Sequence, residues 1–118
     1  MRINNSNSLY RNGQKLEPFI ASPLCFAYKE IPLGVKGVYA LCDFDNGEVL
    51  YIGKAKDLRK RLYSYAELGY GGAYEKVSEI LKSHNDIEVL AFKDDRNYLL
   101  EDELIKQYKP PYNKRTEL

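Results

Sequence analysis

Two short runs decide how this chain folds, Lys36-Gly-Val-Tyr-Ala-Leu-Cys-Asp-Phe44 and Glu48-Val-Leu-Tyr-Ile-Gly53, with Asp45-Asn46-Gly47 between them. Both are strand-like in their β-branched and aromatic content, and Asp-Asn-Gly is turn chemistry, so the stretch predicts a β-hairpin. Because side chains alternate faces along a strand, the loop length decides which of them meet. A two-residue Asn46-Gly47 turn sends Tyr39 and Tyr51 to opposite faces. A three-residue loop, with Gly47 in the left-handed conformation, pairs Phe44 with Glu48 and puts both tyrosines on one face.

Downstream of the hairpin, Asp57 is suited to cap a helix beginning at Leu58, with Leu58, Leu62, Tyr65 and Ala66 on its apolar stripe. Gly69-Tyr70-Gly71-Gly72 breaks the chain, and Tyr74 to Lys82 predicts a second helix with Val77, Ile80 and Leu81 inward. Asp86 to Lys93 predicts a third strand, and about Arg96 to Tyr108 a last helix that must stop before Pro110-Pro111. Upstream, Leu16 to Leu33 is apolar but interrupted by Pro18, Pro23 and Pro32, which predicts an extended segment laid over a core. The order ββααβα predicts an α/β or α+β fold, a small sheet flanked by helices. A partly flexible, Pro-containing extension over residues 1–35 precedes a domain over 36–118.

Length and charge bound the function. The chain has 118 residues, enough for one core without disulfides, and Cys25 and Cys42 are too few for a stapled secreted scaffold and lack a zinc-site spacing. With no signal-like apolar core at the start and no run approaching a membrane span, a cytoplasmic protein without a membrane partner is expected. A net charge of +1 excludes a generally basic DNA coat, but the charge is unevenly spread. Residues 54–61 hold Lys54, Lys56, Arg59, Lys60 and Arg61 against Asp57 alone, and residues 106–118 hold four bases, including Lys114 and Arg115, against one acid. An acidic stretch from 62 to 105 cancels both basic patches.

On a helical wheel, Glu101 falls inside the apolar arc of Leu100, Leu104, Ile105 and Tyr108, whereas Asp102 and Glu103 fall on or toward the wet side. An ionised carboxylate on a buried face is costly unless it is paired or holds a metal, so Glu101 is either an ion-pair partner, an edge residue in solvent, or a ligand of Mg²⁺ type. Arg61 flanks the apolar stripe of its helix, and an inward guanidinium suits a phosphate oxyanion. His84 reads as a surface residue in a polar loop. Eleven tyrosines are more than the length explains, and only their position separates core fillers from chemistry.

Gly37-Val38-Tyr39, then Tyr51-Ile52-Gly53, Arg61 ten residues after the second tyrosine, Glu101, and Asn113 twelve residues after Glu101 together resemble the GIY-YIG nuclease family. The stretches 51–65 and 100–113 are especially similar to the nuclease domain at the front of the UvrC excinuclease subunit. The likeness covers about residues 36 to 116, with Val38 replacing the family's isoleucine.

The resemblance implies a three-stranded mixed sheet flanked by helices, and hydrolysis of DNA phosphodiesters with a single divalent metal, Mg²⁺ or Mn²⁺. It implies that Glu101 holds the metal and Arg61 stabilises charge on the phosphoryl oxygens. Tyr51 would help deprotonate the attacking water, Tyr39 would orient water and phosphate, Tyr65 would contact the leaving side or a metal water, and Asn113 would brace the site. A basic Tyr51 needs cationic help, for which Lys54 and the metal are candidates. Lys54, Lys56, Arg59, Lys60, Lys114 and Arg115 are the candidate DNA contacts. Both tyrosines must then face the site, so the three-residue loop is the expected one. The favoured function is a stand-alone endonuclease, with a phage endonuclease II-like enzyme as the attractive case within that class; the alternatives are an inactive DNA-binding or interaction module and an isolated nuclease domain of a UvrC-like repair protein.

Overall fold

The computed structural model describes residues 8–68, 74–84 and 86–113. Its main sheet has four strands, β3 (Ile20–Pro23), β4 (Gly37–Asp43), β5 (Val49–Ala55) and β6 (Ile87–Lys93), in the order β3-β6-β4-β5. A separate hairpin, β1 (Tyr10–Arg11) and β2 (Gln14–Lys15), precedes it. Helices α1 (Leu24–Ala27), α2 (Leu58–Tyr63), α3 (Tyr74–Ser83) and α4 (Asn97–Tyr108) complete the α+β fold.

Two expectations about the sheet are corrected. A fourth strand comes from the Pro-rich segment, because Ile20–Pro23 pairs with β6 only at the sheet's edge, where one side of the ladder is free and prolines are tolerated. The sheet is antiparallel throughout rather than mixed: β5 and β6 run the same way, but β4 lies between them and opposes both.

The sheet buries both faces. On one, Tyr39, Leu41, Leu50, Val89 and Ala91 pack under Leu24, Leu58, Leu62, Tyr65, Val77 and Ile80. On the other, Val38, Ala40, Cys42, Ile52, Leu90 and Phe92 pack under Leu100, Leu104 and Leu9. Leu81, expected inward, is 43% exposed, so the stripe of α3 is narrower than its sequence suggested. Cys42 is a buried filler: burial first, then Glu88 and Asp43, pushes its thiol up to about 12. Among the described residues no helix is long and apolar enough to cross a membrane.

The hairpin reaches the expected parity by an unexpected route. Gly47 is left-handed as expected, at φ 78°. The loop, however, has four residues rather than three, because Asp43 pairs with Glu48 and accepts the Gly47 N–H at 2.8 Å. The Asp43 carboxylate also accepts the Asp45 and Asn46 amides, at 2.8 and 3.1 Å, which is the turn chemistry that lengthens the loop. That loop alone would set Tyr39 and Tyr51 apart. The register then shifts by one residue, with Cys42 opposite Val49 but Leu41 opposite Tyr51, so Leu50 is a bulge residue and Leu50 and Tyr51 pack into the same core. Beyond the bulge Tyr39 faces Gly53, and both tyrosines share a face.

His84, expected at the surface, is partly buried and its Nδ1 lies 2.7 Å from Asp43 Oδ2. Burial acts to raise the Asp43 pKa, but the His84 hydrogen bond and the Asn46 and Asp45 amides outweigh it and hold the carboxyl below its ordinary value. Its stabilising contribution is therefore present above about pH 4 and is lost as pH falls through the lower folded-state value. Asp43→Asn should cost about 1–2 kcal/mol at pH 7. Urea titrations at stepwise pH should show a shallower acid-side loss in the variant than in the parent.

Candidate active site

The site is built around β5, the free edge of the sheet. On the α2 face, Tyr39 is fully buried and its Oη lies 2.6 Å from Tyr65 Oη. Its ring lies across Gly53, where a Cβ would overlap the phenol, coming 2.5 Å from Cζ; at Gly37 a Cβ would overlap the Phe92 carbonyl oxygen. Close approach, rather than backbone freedom, thus explains both glycines of the paired triplets. Tyr65 reaches Tyr39 from a π-helical turn, Ser64–Leu68, that follows α2 and rotates it inward.

Burial pushes the Tyr39 hydroxyl well above its ordinary value, Tyr65 and Tyr51 add to the effect, and Arg61 opposes it. Tyr39 is therefore a permanent hydrogen-bond donor near neutrality, suited to orienting a group and unsuited to taking a proton. For Arg61, burial disfavours the charge, yet the Tyr39 and Tyr65 hydroxyls outweigh this and hold its pKa above the ordinary value. Arg61 Nη1 donates to the Lys54 carbonyl at 3.2 Å, tying α2 to β5. Tyr51 is half-buried, its ring 6.3 Å from that of Tyr39.

The opposite face supplies the carboxylate. Glu101, on α4, keeps 18% of its side chain exposed and lies 3.8 Å from Lys54 Nζ. Asp102 and Glu103 are exposed as expected, Glu103 pairing with Arg11 at 2.6 Å. Lys54 sits opposite Val38, so alternation puts it on the α4 face and away from Tyr51, whose ring instead has Lys76 Nζ 5.8 Å from its centroid. The cation beside Tyr51 is thus one the sequence did not single out, since only the packing of α3 brings it there.

Asn113 joins the two faces at the edge itself. Its Oδ1 accepts the Ile52 N–H at 2.8 Å, and its Nδ2 donates to the Ile52 carbonyl at 2.9 Å, so one side-chain amide stands where a further strand would pair. The chain is sent there by a left-handed Lys109 that ends α4, followed by Pro110 and a 3-10 turn, Pro111–Asn113.

Beside the edge opens a cleft of about 550 Å³ lined by Lys54, Ala55, Lys56, Asp57, Lys60, Arg61 and Ser64. Of the candidate DNA contacts, Lys54, Lys56 and Lys60 line it. Arg59 does not, its Nη1 donating to the Ile31 carbonyl at 3.2 Å, and Lys114 and Arg115 lie outside the described residues, as does the Gly69–Gly72 break. Among the described residues no three His, Cys, Asp or Glu side chains converge. The Glu101 carboxylate could serve as one ligand of a divalent ion such as Mg²⁺, which commonly takes one or two carboxylates and completes its shell with water and phosphate oxygens.

A family model for the UvrC-like GIY-YIG domain matches residues 35–114. The chain belongs to the UvrC-like GIY-YIG family. UvrABC system protein C of Chlamydia abortus is 44% identical over 89 residues, which are 75% of this chain and 14% of that protein. The counterpart in Shewanella denitrificans is 44% identical over 78 residues, 65% of this chain and 12% of that protein, so the chain matches only a small part of these relatives. Among solved structures, the GIY-YIG N-terminal endonuclease domain of UvrC from Thermotoga maritima, bound to its catalytic divalent cation, magnesium, aligns with TM-score 0.58 and 33% identity. That alignment covers 77% of this chain and 96% of the other. Bacteriophage T4 EndoII, at 23% identity and TM-score 0.51 over 71% of this chain and 77% of the other, shares the fold.

Two substitutions test the geometry of this GIY-YIG site. Asn113→Ala leaves the Ile52 amide and carbonyl without their partner and should cost about 1–3 kcal/mol in urea unfolding, with faster hydrogen exchange at the Ile52 amide. Gly53→Ala should displace the Tyr39 ring and cost a similar ~1–3 kcal/mol through overpacking; an unchanged unfolding midpoint would contradict the close approach.

Proposed function

We propose that this GIY-YIG chain is an endonuclease that hydrolyses DNA phosphodiester bonds with a single divalent metal, Mg²⁺ or Mn²⁺. Residues 36–118 are read as the nuclease domain and 1–35 as an extension to it. The observation that carries the reading is the gathering around the β5 edge of a largely buried carboxylate, an arginine tied to that strand and paired tyrosines, beside a basic cleft. The likeness to a UvrC domain solved with its catalytic divalent cation supports the metal.

In this reading Glu101 would hold the ion, which would supply charge neutralisation at the phosphoryl group and acidify water. The strand's phosphates lie along Lys54, Lys56 and Lys60. Arg61, whose charge the tyrosine hydroxyls hold in place, donates to the non-bridging oxygens as negative charge builds there. Tyr39, buried behind Tyr65 and hydrogen-bonded to it, orients the water or the phosphate by way of the Tyr65 hydroxyl. Tyr51, half-exposed on the same face, acts as the phenolate: having given its own proton to solvent, it takes the proton of the attacking water and returns to the neutral phenol, with the positive charge of Lys76 beside its ring favouring the ionised form more than that of Lys54 does. Asn113 keeps β5 straight at Ile52, between Tyr51 and Gly53.

Purified chain incubated with supercoiled plasmid should nick it with Mg²⁺ or Mn²⁺ and fail to do so in EDTA. Glu101→Gln should lose at least about a thousandfold in cleavage while binding DNA within a few-fold of the parent, and Arg61→Lys should lose about a hundredfold. Full activity of Glu101→Gln would sink the metal assignment, and DNA binding without metal-dependent nicking would make the chain a binding module.

A further inference from the structure

We infer that Phe26, Lys29 and Tyr63 form a stacking platform for an unpaired nucleotide next to the cleft, so that the preferred substrate is DNA with locally unpaired bases; this rests on the reading of the chain as DNA-binding. Phe26 on α1 is 51% exposed and Tyr63 on α2 is 39% exposed, large for aromatic rings on a small domain. They belong to one contiguous cluster. Lys29 Nζ lies 5.3 Å from the Phe26 ring centroid and 5.9 Å from that of Tyr28, and the Tyr28 ring meets Tyr63 edge-on at 5.0 Å. Tyr28 is the buried prop, its Oη donating to the Glu67 carboxylate at 2.9 Å, which ties that acid to the base of the cluster.

The platform shares a helix with the cleft, because Tyr63 lies one turn beyond the cleft-lining Lys60 on the same face of α2. A strand whose phosphates follow the basic side chains of the cleft brings its next nucleotide toward Tyr63 and Phe26. Aromatic rings interleaved with cations accept any base that shows an open π-face, and a base inside a duplex shows none. Residues 24–30, which supply Phe26, Tyr28 and Lys29, lie outside the stretch that the family model matches, whereas Tyr63 lies inside it, so the platform joins the chain's own N-terminal part to the family domain.

The test is binding in EDTA, so that cleavage plays no part, of a fluorescent blunt duplex and of the same duplex carrying a short unpaired flap. The parent should bind the flap about tenfold more tightly. Phe26→Ala and Tyr63→Ala should each lower flap affinity about tenfold, ~1.4 kcal/mol per ring, and leave duplex affinity within about twofold. Phe26→Tyr and Tyr63→Phe, which keep the rings, should bind like the parent. Equal losses on both DNAs, no loss on either, or a dimer in sedimentation that the alanine variants dissociate would overturn the platform, the last by assigning the face to a second copy of the chain. A parent that binds neither DNA would overturn the DNA reading as well, whereas a parent that nicks plasmid while the ring variants bind normally would overturn the platform alone.

Discussion

The one-residue offset at Leu50 is the constraint on which the site depends. In an antiparallel pair a shift of one residue exchanges the faces of every side chain beyond it. The four-residue loop built by Asp43 would leave Tyr39 and Tyr51 on opposite faces, and the bulge restores them to one. The same parity puts Gly53, the one residue type that gives the buried phenol room, directly beneath Tyr39. A bulge next to a functional edge is therefore part of the site's construction rather than an irregularity in it.

The charges are arranged by the same edge. The sheet separates Arg61 and the buried tyrosines on the α2 face from Glu101 and Lys54 on the α4 face, and the two groups approach each other only around β5. Arg61 sits beside the Tyr39 and Tyr65 hydroxyls, and Glu101 lies 3.8 Å from Lys54 Nζ. A bare edge strand invites pairing with another chain, and here the Asn113 amide occupies the hydrogen-bonding positions at Ile52.

Much of this was legible beforehand where local chemistry dominates. Asp57 does cap α2, accepting the Lys60 amide at 3.1 Å, and α3 and α4 start and stop within a residue of their expected ends. The wheel separated Glu101 from its two acidic neighbours because a helix converts spacing into direction. The misses share a different cause. Ile20–Pro23 becomes a strand only because β6 offers it an edge, and Lys76 reaches Tyr51 only because α3 packs over that face. The loop length went astray at Asp43, whose side chain competed with the Asn-Gly signal for control of the turn.

By itself, then, the sequence determined the elements from the β4–β5 hairpin onward, the Asp57 cap, the inward direction of Glu101 on its helix, and the family to which the paired triplets belong, since all of these are written in local spacing and residue type. Tertiary structure alone decided the fourth strand, the bulge that sets tyrosine parity, the cation that stands beside Tyr51 and the amide that closes the β5 edge. Each of these joins residues distant in the chain, and their pairing is settled by competition for hydrogen bonds and buried space across the whole core, which no short window of sequence records.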